Sequence, residues 1–210
     1  MFDLPSLRSI ALMLPAIVLG LTFHEYAHGL AAYKLGDNTA RAQGRLTINP
    51  AAHVDPVGLI LLFLAGFGWA KPVPINPLNF KGDMRRGVLL VSLAGPATNL
   101  LLAIAAAIIW GALAGLKLPY FNDIMMYMIQ INVVLAIFNL IPVPPLDGSK
   151  ILAGILPGRQ EWLYKMEAYG MIILIVLIFT GAIGFIFNIF VRPIVSVLYS
   201  LAGLIAGLMM

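Results

Sequence analysis

The chain has 210 residues and not one cysteine. That excludes disulfides, thiolate metal sites and a cysteine nucleophile. Charge is nearly as scarce. Asp, Glu, Lys and Arg together make up 10% of the sequence, against about 25% in soluble domains. Apolar residues make up 61%, and the mean hydropathy is +0.96. A soluble fold of this length has too little interior to hide that much apolar surface. A water-soluble enzyme, a nucleic-acid module and a disordered chain are therefore excluded as first readings. What remains is a multi-pass membrane protein with small loops. The net charge of +4 implies no nucleic-acid partner, because loop Lys and Arg in such proteins mostly set orientation. No cleavable signal peptide is expected, since the apolar run after Arg8 carries ionisable residues before it ends. The sequence shows no internal repeat and no low-complexity tract.

The stretches between charges define six apolar segments, at about 10–33, 55–71, 86–117, 123–147, 167–192 and 193–210. A spanning helix needs about 20 apolar residues. The first, third, fourth and fifth qualify easily and the sixth is just long enough. The second is short, contains Gly66 and Gly68, and falls in the re-entrant range. The loops flanking it are basic, with Lys34, Arg41, Arg45, Lys71, Lys81, Arg85 and Arg86. The loop after segment four adds Lys150, Arg159 and Lys165, whereas the loop between segments three and four has only Lys117 and Asp123. Positive-inside logic places the basic loops in the cytoplasm and the N-terminus outside. Counting crossings then makes Arg192 external and Met210 cytoplasmic. Residues 41–49, with Gly44 as a turn or bulge, and residues 71–76 read as strands. Pro72 and Pro74 restrict the second to an edge strand or an extended loop. The Gly111/Gly115 and Gly203/Gly207 spacings read as close helix packing.

The chemistry-bearing motif is His24-Glu25-Tyr26-Ala27-His28, an H-E-x-x-H pattern within the first segment. Residues four apart share a helix face, so the two imidazoles can grip one zinc ion. Glu25 between them can take a proton from the attacking water. This chain's composition gives the pattern by chance about 4 times in 10,000. All three groups lie in an apolar segment, where an ionisable residue is expensive and functional by default. Zinc hydrolases use three protein ligands, and His53 and Asp147 are the candidates for the third. Asp147 follows a proline-broken helix end, Asn139-Leu140-Ile141-Pro142-Val143-Pro144-Pro145-Leu146, and precedes Gly148. Its structural alternative is a cap on the helix starting near Ser149. His53 is read as an electrophile for the oxyanion, a loop cap or the third ligand. Asn99, Asn132 and Asn139 read as interhelical hydrogen-bond partners, with Asn139 alternatively the best candidate for a contact to substrate backbone. The competing reading is a non-enzymatic metal- or haem-binding membrane protein, or a zinc transporter.

Phe23 to Gly29 together with Asn139 to Gly148 resembles the site-2 protease family of intramembrane zinc metalloproteases. Further matches are Gly44-Arg45-Leu46-Thr47 with Asn49-Pro50 and His53-Val54-Asp55-Pro56, Lys71 to Pro77, and Gly95-Pro96-Ala97-Thr98-Asn99. The resemblance implies one Zn2+ ligated by His24, His28 and Asp147, with Glu25 as general base. It also implies a transmembrane-helix protein as substrate, cleaved as part of regulated intramembrane proteolysis. No PDZ-like insertion and no CBS-like extension stand in this chain, which is similar to a compact, stand-alone member. The expected fold is an all-α polytopic membrane protein of about five transmembrane helices, a re-entrant or interfacial segment and a small β element near the site. One integral-membrane domain is expected over 1–210, with a catalytic core at about 10–157 and C-terminal helices at about 165–210. His28 lies six residues before Lys34, about 9 Å from that helix end, so the metal is expected within the bilayer near the cytoplasmic face.

Overall fold

A computed structural model describes residues 6–65, 68–116, 118–157 and 166–209. Gly66, Lys117, Arg159, Lys165 and Met210 lie outside the described residues. The long helices start where a polar cap meets an apolar run. Helix α1 (Leu7–Lys34) is capped by Ser6, whose Oγ accepts from the Ser9 N–H at 3.1 Å. A short helix α2 (Thr39–Ala42) and α3 (Pro56–Ala65) follow. Helix α4 (Met84–Leu113) is capped by Asp83, which accepts from the N–H groups of Arg85 and Arg86. Then come α5 (Phe121–Asn139), α6 (Asp147–Ile155), α7 (Gly170–Phe179), α8 (Ala182–Ile186) and α9 (Arg192–Met209). The fold is all-α, and among the described residues no strand forms. Residues 41–49, expected as a strand, instead hold the end of α2 and a turn in which Gly44 takes φ 66°. Their backbone bonds close locally, Arg45 N–H to Ala40 O at 2.8 Å, so no ladder is available. Residues 71–76 are an extended loop.

Among the described residues, four helical stretches are long and apolar enough to cross a membrane: Leu7–Lys34, Met84–Leu116, Phe121–Asn139 and Ala182–Met209. The core is where α1, α4, α5 and α9 meet, through small residues such as Ala16, Ala103, Ala106, Ala107 and Ala202 around Ile129 and Val133. Small side chains let helix backbones approach closely in lipid. A Cβ on Gly111 would lie 2.6 Å from the Ala202 carbonyl, so α4 and α9 touch there, while Gly115, Gly203 and Gly207 have nothing within 4 Å.

The second apolar segment enters and leaves on one side. Val54 and Ala70 form an antiparallel bridge, and the Lys71 N–H donates to His53 O at 2.8 Å. A Cβ on Gly58, at the start of α3, would lie 2.1 Å from Trp69 O. Only glycine allows this return beside the entry. Ten residues of helix reach about 15 Å, half a bilayer.

The C-terminal third follows a different path from the expected one. Segment five is not one span. Helix α7 has ten residues and ends at Thr180–Gly181, where Gly181 takes φ 78°. The chain then runs as one helical stretch from Ala182 through a π-helical turn (Phe187–Val191) into α9. Pro193 does not break it, since the π turn has already shifted the hydrogen-bond register. Arg192 is thus no loop residue. Val191 and Arg192 lie beside Val134, Tyr199 hydrogen-bonds Gln130, and Ala202 and Ile205 lie against Gly111. Helix α9 therefore runs toward the end of α4 and the start of α5. Arg8 also lies on that side, its guanidinium 5.1 Å from the Tyr120 ring centre. Met209 ends on the side expected for Lys117 and Asp123, opposite to the side that crossing parity gave the C-terminus.

Single cysteines test this in a cysteine-free chain. Positions 38 and 81 should react with an impermeant thiol reagent from one side of the membrane, and positions 118 and 208 from the other. Labelling of 38 and 208 from the same side contradicts the helix path.

Candidate metal centre

Helix α1 carries His24, Glu25 and His28 on its buried face, near the end that leads to Lys34. Helix α4 crosses beside them, and the chain breaks after α5 at Pro142–Pro145 so that α6 begins with Asp147 at the same point. The result is a triangle of ligand atoms. His24 Nε2 and His28 Nε2 are 3.0 Å apart, and Asp147 Oδ2 lies 3.1 and 3.0 Å from them. All three residues are buried. Zinc bonds of about 2.0–2.1 Å in a tetrahedral shell separate neighbouring ligand atoms by about 3.3 Å. The triangle is close to that size, and its donors are two imidazoles and a carboxylate, so these residues fit a zinc ion.

The imidazoles are held in the tautomer that a metal requires. His28 Nδ1–H donates to Val91 O at 2.7 Å. His24 Nδ1–H donates to Asn99 Oδ1, also at 2.7 Å. Each bond fixes the proton on Nδ1 and leaves the Nε2 lone pair facing the triangle. Asn99 is itself oriented, since its Nδ2 donates to Gly20 O at 3.0 Å and to Asn132 Oδ1 at 2.9 Å. Asn132 in turn donates to Met128 O. The expectation of interhelical partners holds for both asparagines, but Asn99 also does something the sequence reading missed. It sets the orientation of His24. Gly95 was missed too. A Cβ there would lie 2.5 Å from His28 Nε2 and 2.7 Å from His24 Nε2, too close for either imidazole to keep its place. Gly95 and Asn99 are four apart on α4, one leaving room for the histidines and the other orienting one of them. The signal was in Gly95-Pro96-Ala97-Thr98-Asn99, where a glycine and an asparagine share one face at helical spacing.

Glu25 is not part of the ligand triangle. Its Oε2 accepts the Val73 N–H at 2.7 Å. Pro72 and Pro74 have no N–H, so Val73 supplies the lone amide of that stretch. The loop is pinned further along by Asp37, 1% exposed. Asp37 accepts from the Thr39 and Asn76 N–H groups, the Thr39 hydroxyl and Asn79 Nδ2. Burial pushes its carboxyl up, but the bonds from Thr39, Asn79 and Asn76 outweigh burial and hold it below its ordinary value. His53 is fully buried in the adjacent loop, with Nε2–H donating to Thr47 O at 2.7 Å and its carbonyl accepting from Lys71. Among the described residues the converging ligand group is His24, His28 and Asp147, without His53. Asn139 donates to Leu135 O on its own helix. It also lines a cavity of about 880 Å3 with His24, Glu25, Pro72 and Leu146, walled elsewhere by side chains such as Leu59, Phe63 and Phe138.

A polytopic helical bundle with an H-E-x-x-H pair and a distant carboxylate at one buried point has the architecture of a membrane metallopeptidase. Residues 116–183 match the model of Peptidase family M50. The chain is 44% identical over 172 residues to "Putative zinc metalloprotease YwhC" of Bacillus subtilis, covering 78% of each chain. It is 30% identical over 189 residues to "Putative zinc metalloprotease Rip2" of Mycolicibacterium smegmatis, covering 82% of this chain and 68% of that one. An archaeal relative, "Putative zinc metalloprotease MJ0611" of Methanocaldococcus jannaschii, is 28% identical over 157 residues, 72% of this chain and 75% of that one. No solved structure matches. The chain belongs to peptidase family M50, and it is a metalloprotease of that family.

Two outcomes test these roles. Gly95→Ala should abolish zinc binding in purified protein, because its methyl group displaces both imidazoles from the triangle. Asn99→Leu should weaken zinc binding about 10- to 100-fold, read by chelator competition. For the loop, the folded-state value of Asp37 lies below its unfolded value, so its contribution is present at neutral pH and lost as pH falls through the carboxylate range. Asp37→Asn should therefore melt below wild type at neutral pH, with the gap closing below about pH 4.

Proposed function

We propose that the protein hydrolyses a peptide bond in or near a transmembrane helix of a membrane-protein substrate. One Zn2+ per chain is held by His24, His28 and Asp147, and Glu25 is the general base. The observation that carries this reading is the ligand triangle, whose His24 lines an apolar cavity together with Glu25. When bound, zinc supplies Lewis acidity that polarises a carbonyl and makes a water more acidic.

The chain's own residues account for the rest. Asn99 and the Val91 carbonyl keep both imidazoles in a single tautomer. Glu25 lies in the cavity wall, held by the Val73 N–H, where it takes a proton from the attacking water and passes it to the leaving amine. The apolar wall excludes bulk water and receives apolar substrate side chains. A substrate helix must first unwind, since its carbonyls are bonded internally and covered. The extended loop at 71–76 is the candidate to hold the unwound segment by strand-like pairing. Asn139, on the opposite wall, is the candidate to contact its backbone. The basic residues on the side of Lys34 support a cytoplasmic placement of the site.

The assignment separates a base from a ligand. Glu25→Gln should retain zinc and lose peptidase activity by at least about 100-fold. Asp147→Ala should lose zinc, while His53→Ala should keep it. Zinc loss in Glu25→Gln makes Glu25 a ligand, and zinc retention in Asp147→Ala with loss in His53→Ala reverses the third-ligand assignment.

A further inference from the structure

Among the described residues, Arg192 is the one cation that the helix path carries deep into an apolar span. It stands inside the continuous stretch Ala182–Met209 and shares a groove of about 660 Å3 with Gln130, Val134, Ser196, Tyr199 and Ser200. Gln130 lies nine residues from each end of Phe121–Asn139, about 14 Å from either by helical rise. Arg192 is therefore near mid-span. It is exposed on the outer face, and among the described residues no carboxylate pairs with it. An arginine at that depth is expensive and marks a functional contact.

The surroundings of Arg192 define what it can meet. Ser196, Ser200, Gly203 and Gly207 follow at intervals of four, four, three and four residues, so all share its face of α9. All are exposed, and a Cβ at Gly203 or Gly207 would meet nothing within 4 Å. The Tyr199 hydroxyl and Gln130 side chain, bonded to each other at 2.8 Å, add polar groups to the floor. This is a groove into which a second helix backbone can approach closely, with one unpaired positive charge at mid-membrane.

We propose that this groove docks a transmembrane helix of another protein bearing a carboxylate near its mid-point. Charge complementarity selects the partner. A second copy of this chain does not supply it from its described residues, because their carboxylates at the depth of the spanning core, Glu25 and Asp147, are buried in the candidate metal centre. A lipid phosphate does not fit the depth, since roughly 15 Å of hydrocarbon separates mid-span from either headgroup layer. The proposal is independent of the proteolytic reading. Gln130 and Val134 also line the large cavity, so the docked helix rests against the back of the substrate wall.

The test uses the full chain reconstituted in phosphatidylcholine vesicles with labelled synthetic Leu/Ala helices carrying a central Asp, Leu or Lys. Energy transfer from a donor at position 118 reads the affinity. The Asp helix should bind about tenfold tighter than the Leu helix. Arg192→Leu should erase that preference, Arg192→Glu should transfer it to the Lys helix, and Ser200→Trp should block docking with Arg192 intact. Zinc content serves as the folding check, and should Arg192→Glu fail it, the other two variants decide. Equal affinity of wild type for the Asp and Leu helices overturns the proposal. So does an Asp preference that survives Arg192→Leu, or one that phosphatidylglycerol vesicles abolish through Arg192, which would make the groove a headgroup site.

Discussion

Two imidazoles on one helix and a carboxylate more than a hundred residues later share one buried point at membrane depth. No charged or polar ligand set is stable there unless its members satisfy one another or a metal. That requirement fixes much of the architecture. The end of α1 that carries His28 and the end of α5 that leads to Asp147 must lie at the same depth. The segment between α1 and α4 therefore returns to the side it came from. The Gly58–Trp69 contact and the Val54–Ala70 bridge are the local chemistry of that return. Helix α4 then passes with Gly95 against the histidines, because any side chain there would collide with both rings.

The same point organises the polar groups around it. His24, Asn99 and Asn132 form a hydrogen-bonded line from the ligand triangle into the helix core. On the opposite flank Glu25 is tied to Val73, and the loop carrying Val73 is tied at Asn76 and Asn79 to Asp37, just past the end of α1. Both ends of that loop are thus fixed relative to one helix. Glu25, the carboxylate proposed as the base, is presented on a rigid support, as a proton-transfer group requires.

The candidate metal centre was readable in part because some of its signals are local, while the residues alone left the third ligand open between His53 and Asp147. His24 and His28 are one turn apart, and the prolines before Asp147 announce a broken helix. Re-entry of the second segment was readable from its length, and from the need for both ligand sets to meet. The features that were not readable depend on tertiary context. Residues 41–49 have a strand-like composition, but Gly44 and the Arg45 to Ala40 bond close them into a turn. Arg192 and Pro193 looked like a loop between two spans, yet a π turn carries the helix through them. That error reversed the side assigned to the C-terminus. The roles of Gly95 and Asn99 required knowing which face of α4 meets α1. Periodicity cannot supply that in a helix that is apolar almost all round.

The central claim is that His24, His28 and Asp147 hold one zinc ion at membrane depth. Zinc X-ray absorption on the reconstituted protein tests it most directly. The account predicts one zinc per chain with only nitrogen and oxygen neighbours at about 2.0–2.1 Å, two of them with the outer-shell scattering of imidazole. A three-imidazole signature would place His53 in the shell, and a shell that Asp147→Asn leaves unchanged would remove Asp147 from it. Either result would contradict the account.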